Sequence, residues 1–122
     1  MLSSLDLAAV NSFLITARKE IDKNNAYFVY YRNVKSGNKV VNARQALLDI
    51  GIIKISEIWN HIKELQPRDC FRISRDRDFG RDFNAKIYEF KKIINRKNVY
   101  IKLTINDKGL LCISFHIDNG GN

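Results

Sequence analysis

Tyr100, Lys102 and His116 are a phenol, an ammonium and an imidazole that an alternating pattern places on one β-face. Residues 99–106 and 110–117 read as two strands joined by the turn Asp107-Lys108-Gly109. With Gly109 left-handed after a type I turn, the loop has three residues and a bulge, and Asn106 falls opposite Leu110. Val99, Ile101, Leu103 and Ile105 then share an apolar face with Leu111, Ile113, Phe115 and Ile117. The other face carries Thr104 opposite Cys112, Lys102 opposite Ser114 and Tyr100 opposite His116, each pair about 5 Å apart at Cβ. Turned toward solvent in a basic protein, a hydroxyl, an ammonium and an imidazole can handle a phosphodiester by proton transfer without a metal. The plainer reading is that any half-solvated antiparallel sheet shows one polar face.

These strands need a domain to hold them. The chain has 122 residues, 45% apolar, with a single Pro, which suits one compact soluble domain over 1–122 with a frayed tail at 117–122. No apolar run approaches the roughly 20 residues of a membrane span, and no signal segment is visible, so a cytoplasmic protein without a membrane partner is expected. Cys70 and Cys112 lack metal or redox spacing and read as free thiols. With only His61 and His116 besides, neither a metal site nor a cofactor is expected. The formal charge is +8, and residues 68–108 hold twelve Lys or Arg against six Asp or Glu. That bias points to a polyanionic partner, most often nucleic acid.

In chain order, Ser3 or Ser4 caps a helix over about 5–21, with Val10, Phe13, Leu14, Ala17 and Ile21 on its inner side. Residues 26–31 form a strand or an extended segment, and residues 40–41 pair back as a short hairpin after the turn at 35–38. Tyr27, Tyr30 and Tyr31 could stack on bases, but core or sheet filling is the commoner role for such residues. Asn42 caps a helix that Gly51 terminates, and Ser56 caps another that Pro67 ends. His61, alone in mid-helix, reads as exposed and without chemistry. Residues 70–73 and 86–94 are strands around an alternating-charge loop, and 95–98 turn into the final hairpin. Helices followed by consecutive strands make an α+β domain, an antiparallel meander with helices packed on one face and the opposite face left for a ligand.

The segments 69–72, 87–92, 99–103 and 112–116, with the helix ending at Leu48-Asp49-Ile50-Gly51-Ile52, resemble the MqsR-type toxins (motility quorum-sensing regulator family) of bacterial toxin–antitoxin modules. The resemblance is strongest over 69–116. It implies a RelE-like fold, an α+β domain on a curved antiparallel β-sheet, and an mRNA interferase, an endoribonuclease of messenger RNA neutralised by a cognate antitoxin protein. The family's functional positions fall on Arg72, Glu89 and Tyr100, of which only Tyr100 is identical. Arg72 keeps the family's charge in a fork suited to phosphate. Glu89 puts a carboxylate where the family has an amide, either a base or a charge that repels RNA.

The expectation is therefore a metal-independent endoribonuclease. Glu89 or His116 accepts the ribose 2′-OH proton, Tyr100 donates or relays protons, and Arg72 and Lys102 stabilise the pentacoordinate phosphate. Arg68, Arg75, Arg77, Arg81, Lys91 and Lys92 hold the RNA backbone. The alternative is a non-catalytic regulator or inhibitor on the same fold, docking on nucleic acid or on a partner's nucleic-acid channel.

Overall fold

Ser3 opens the first helix by a reciprocal cap. Its hydroxyl accepts the Asp6 backbone N–H at 3.1 Å while the Asp6 carboxylate accepts the Ser3 N–H at 3.3 Å. In the computed structural model, which describes residues 2–75 and 86–118, this helix is α1 (Ser4–Asp22). Val10, Phe13, Leu14 and Ala17 recur at helical spacing and are buried. Helix α2 (Ala43–Ile50) starts where Asn42 Oδ1 accepts the Gln45 N–H at 2.7 Å. It stops at Gly51, whose φ of 93° is the left-handed conformation a helix terminator requires. The Asn95 side-chain amide donates to the Ile50 carbonyl at 2.9 Å and satisfies one of the orphan acceptors of that helix end. Ahead of α3 (Glu57–Lys63) the Ser56 side chain makes no capping bond. The Glu57 carboxylate instead accepts the Lys54 N–H at 3.2 Å.

Between the helices lie β1 (Ala26–Phe28) and the two-strand hairpin of β2 (Asn33–Ser36) and β3 (Lys39–Asn42). After α3, a 3-10 turn (Pro67–Asp69) leads to β4 (Cys70–Arg75), β5 (Lys86–Ile94), β6 (Lys97–Asn106) and β7 (Gly109–Ile117). Asn95 and Arg96, both at positive φ, form the tight β5–β6 turn. The main sheet runs β1-β7-β6-β5-β4. Side chains from all three helices and from the inner face of the sheet form one core, including Phe13, Leu14, Leu47, Ile58, Ile62, Phe90, Ile101, Leu103 and Phe115. The α+β class and the packing of helices on one face agree with the sequence.

Besides the missing Ser56 cap, the structure corrects four local expectations. The sheet is mixed rather than wholly antiparallel, because β1 pairs parallel to β7. The final turn has two residues, with Asn106 paired to Gly109, and the extra residue is accommodated at Ile113 instead. Beyond this bulge the expected pairs Lys102–Ser114 and Tyr100–His116 are restored. Before it Leu103 lies opposite Cys112 and Thr104 opposite Leu111, so Cys112 joins the core rather than the polar face. Ile117 is a strand residue, not part of a frayed tail, and the Asp118 N–H donates to the Asn98 carbonyl at 2.8 Å. Tyr27, Tyr30 and Tyr31 are exposed and fill no core.

Gly109 matters for a reason other than its turn. A Cβ there would fall 2.2 Å from the Asn25 carbonyl oxygen, the same oxygen that accepts the Leu110 N–H at 2.9 Å. Its bare Cα, at a φ of 130°, lets the chain entering β1 approach the edge of β7.

Candidate active site

Along β5 and β6 the inward residues Tyr88, Phe90, Ile101 and Leu103 belong to the core, so Glu89, Lys91, Tyr100 and Lys102 face the other way. Register aligns them in two adjacent rows. Arg72 pairs with Glu89, Glu89 with Lys102, and Lys102 with Ser114; beside them Lys91 pairs with Tyr100 and Tyr100 with His116. Two bulges place the flanking residues. The irregularity at Phe71 sends Cys70 into the core yet brings both Phe71 and Arg72 to the outer face. The bulge at Ile113 lets Cys112 and Phe115 point inward while Ser114 and His116 stay outward.

Glu89 is the centre of this face and only 2% exposed. Its carboxylate accepts the Arg72 fork through Nε at 2.6 Å and Nη2 at 2.7 Å, the Ser74 hydroxyl at 3.2 Å, and the Tyr100 phenol. Burial pushes its pKa up, but the hydrogen bonds from Arg72 and Tyr100 and the Arg72 charge outweigh it, and the carboxyl is held below its usual value. Burial and the neighbouring carboxylate push the Tyr100 phenol well above its usual range, so it stays protonated and serves as a donor.

His116 lies beside Tyr100, with ring centroids 5.2 Å apart. Its Nδ1 is 2.8 Å from the Ile117 carbonyl oxygen, which can only accept, so Nδ1 carries the proton and Nε2 presents a lone pair. Burial lowers its pKa, the Arg32 charge adds to this, and the Ile117 carbonyl and Asp118 oppose it. The ring is therefore neutral at pH 7 and able to take a proton. At 8% exposure it corrects the expectation of an open polar face, and Tyr100 and Lys102 beside it are themselves only partly exposed.

All five expected catalytic positions, Tyr100, His116, Glu89, Arg72 and Lys102, thus meet on one face. The expected RNA-backbone set is divided. Lys91 belongs to the site, with Nζ 4.7 Å over the Phe71 ring and 3.3 Å from Asp118. Lys92 pairs with Val99 and faces the helix side. There, with Arg68, His61, Glu64 and Gln66, it lines a separate cleft of about 610 Å³. His61 therefore belongs to a cleft rather than to bare surface. Arg75 ends β4 opposite Lys86, and Arg77 and Arg81 lie outside the described residues. Sequence reasoning missed Ser74 and Phe71. Ser74 follows Arg72 by two residues, and that parity alone puts it on the same strand face, whereas Phe71 arrives there only through the bulge.

No family model matches the chain, and a comparison with curated proteins finds no match either.

Proposed function

We propose that this protein is a metal-independent endoribonuclease that cleaves RNA through attack of the ribose 2′-OH on the adjacent phosphate. The observation that carries this reading is a neutral, Nδ1-protonated His116 beside a carboxylate-anchored Tyr100, with Arg72, Lys91 and Lys102 on the same face. His116 Nε2 takes the 2′-OH proton as the 2′-oxygen bonds to phosphorus. The P–O5′ bond breaks, its electron pair leaves on the 5′-oxygen, and that oxygen takes a proton from the Lys102 ammonium; the His116 imidazolium then gives its proton to solvent as Lys102 regains one, which restores both groups. The products are a 2′,3′-cyclic phosphate and a 5′-hydroxyl. Arg72, through the guanidinium N–H groups that it does not give to Glu89, and the Lys91 ammonium donate hydrogen bonds to the charged phosphate oxygens as the phosphorus becomes pentacoordinate, while Tyr100, whose one O–H is held by Glu89, lies beside the His116 ring. Glu89, low in pKa and surrounded by donors, is a positioning residue that holds Arg72 and Tyr100. The base assignment accordingly goes to His116.

The resemblance to MqsR-type toxins supports the finer reading: a RelE-like mRNA interferase of the cytoplasm, held inactive by a cognate antitoxin protein. Purified protein incubated with RNA in EDTA tests the chemistry. Wild type is expected to cut, His116→Ala to lose about 100-fold or more in rate, and Tyr100→Phe to lose less. Cleavage persisting unchanged in both variants overturns the assignment. One observation favours a non-catalytic binder instead, because Glu89 already occupies two donors of the Arg72 fork. Expression without any antitoxin separates the two readings, since a nuclease arrests growth and a mere binder does not.

A further inference from the structure

Tyr30 is 66% and Tyr31 77% exposed, although tyrosines in a strand-like run ordinarily fill a core or a sheet. The backbone on either side of them is pinned to β7. The Val29 N–H donates to the Cys112 carbonyl at 3.0 Å and the Gly37 N–H to the Ile117 carbonyl at 3.3 Å. Residues 30–36 therefore run beside the length of β7 that carries Ser114 and His116, and Arg32 is close enough for its charge to be felt at the His116 ring. The Tyr30 and Tyr31 rings meet edge to face with centroids 6.5 Å apart. At the opposite margin of the outer face the partly exposed Phe71 ring lies 6.1 Å from Tyr100. Phe71, Lys91, Tyr100 and His116 thus follow one another across the outer face, and the segment that carries the tyrosine pair runs along β7 next to His116.

We propose that Tyr30 and Tyr31 form a stacking subsite for an unpaired nucleobase adjoining the phosphate held at His116, with Phe71 receiving the base on the other side. The inference rests on the nuclease reading and adds the residues that grip the substrate's bases. Every base offers a π-face, so such a platform tolerates many sequences, and it engages only bases that are not already paired and stacked. The +8 charge supplies attraction to the backbone that links those bases. A protein partner docking on the same tyrosines is the competing occupant, and it does not require bases.

The test is fluorescence anisotropy with end-labelled, single-stranded 2′-O-methyl RNA, which cannot attack its own phosphates. Replacing both tyrosines by Ala is expected to weaken binding about tenfold or more, while Tyr30→Phe with Tyr31→Phe keeps it. On an abasic version of the oligonucleotide, wild type and the Ala variant should bind alike. Equal binding of wild type and the Ala variant to the intact oligonucleotide overturns the proposal, as does an equal loss on the abasic strand or no wild-type binding at low salt. Cleavage of unmodified RNA, measured in parallel, keeps the two claims apart. An uncut RNA with the expected binding pattern removes the nuclease reading alone, and efficient cutting with unimpaired binding by the Ala variant removes the stacking subsite alone.

Discussion

Glu89 shows how a buried charge can be held for geometry rather than for proton transfer. Its ordinary carboxyl value is 4.5, and the Arg72 and Tyr100 donors overcome burial to hold it lower in the folded protein. A depressed carboxyl contributes stability that is present above its unfolded value and lost as pH falls through its folded one. In Arg72→Ala, burial is no longer opposed by the guanidinium, and the Glu89 pKa rises. Since the Arg72 side chain is 61% exposed and solvent screens the pair, the expected cost at pH 7 is modest, about 1–3 kcal/mol. That cost should shrink as pH falls into the carboxyl range, where Glu89 takes up a proton. Urea unfolding of wild type and variant at pH 7 and near pH 4.5 reads both numbers, and a penalty unchanged between them contradicts this account of Glu89. His116 works in the same direction. Its folded pKa lies below its ordinary 6.5, so the unfolded chain binds the extra proton and stability falls as pH drops through that window.

At the scale of elements, the site depends on edges and bulges more than on strand propensity. Gly109→Ala places a methyl group against the Asn25 carbonyl and on a backbone at a φ of 130°. The variant is expected to lose about 1–3 kcal/mol, to disturb the β1–β7 pairing, and to reduce amide-exchange protection at Leu110. A variant with wild-type stability and protection would show that β1 does not need this close approach. The elements differ in how legible they are. Helices α1 and α2 were plain because Ser3, Asn42 and Gly51 carry their own local caps, and β5 was plain from its β-branched and aromatic run. The outer row Tyr100–His116 came out as expected because one extra residue in the hairpin gives the same register beyond it whether it sits at the turn, as expected, or at Ile113, as found. The partner of β1 was not readable, since a three-residue strand says nothing about which edge it joins. The Phe71 and Ile113 bulges were equally hidden, because an inserted residue leaves no mark in a local pattern. Division of the basic set followed from the same parity. Lys91 and Lys92 are neighbours in sequence and must face opposite sides of a strand.

The whole molecule assigns its two sheet faces different work. One buries its aliphatic and aromatic side chains against α1, α2 and α3, each large side chain contributing roughly 1.5–3 kcal/mol. The other carries charge, hydroxyls and an imidazole, with Glu89 and His116 buried, where polar interactions are stronger, and the Arg72 and Lys91 cations reaching solvent. Much of the net positive charge falls in the strand-rich third of the sequence, 68–108, which contributes Arg72, Lys91 and Lys102 to that face. Lys92 and Arg68 place further charge in the separate cleft behind it. The central claim, that the outer face breaks RNA by internal 2′-OH attack, is tested most directly by the chemistry of the fragment ends. Mass spectrometry of fragments made by the purified protein should find a 2′,3′-cyclic phosphate on one side of the cut and a 5′-hydroxyl on the other. Fragments ending in 3′-hydroxyl and 5′-phosphate would require water as the attacking group and would contradict the account.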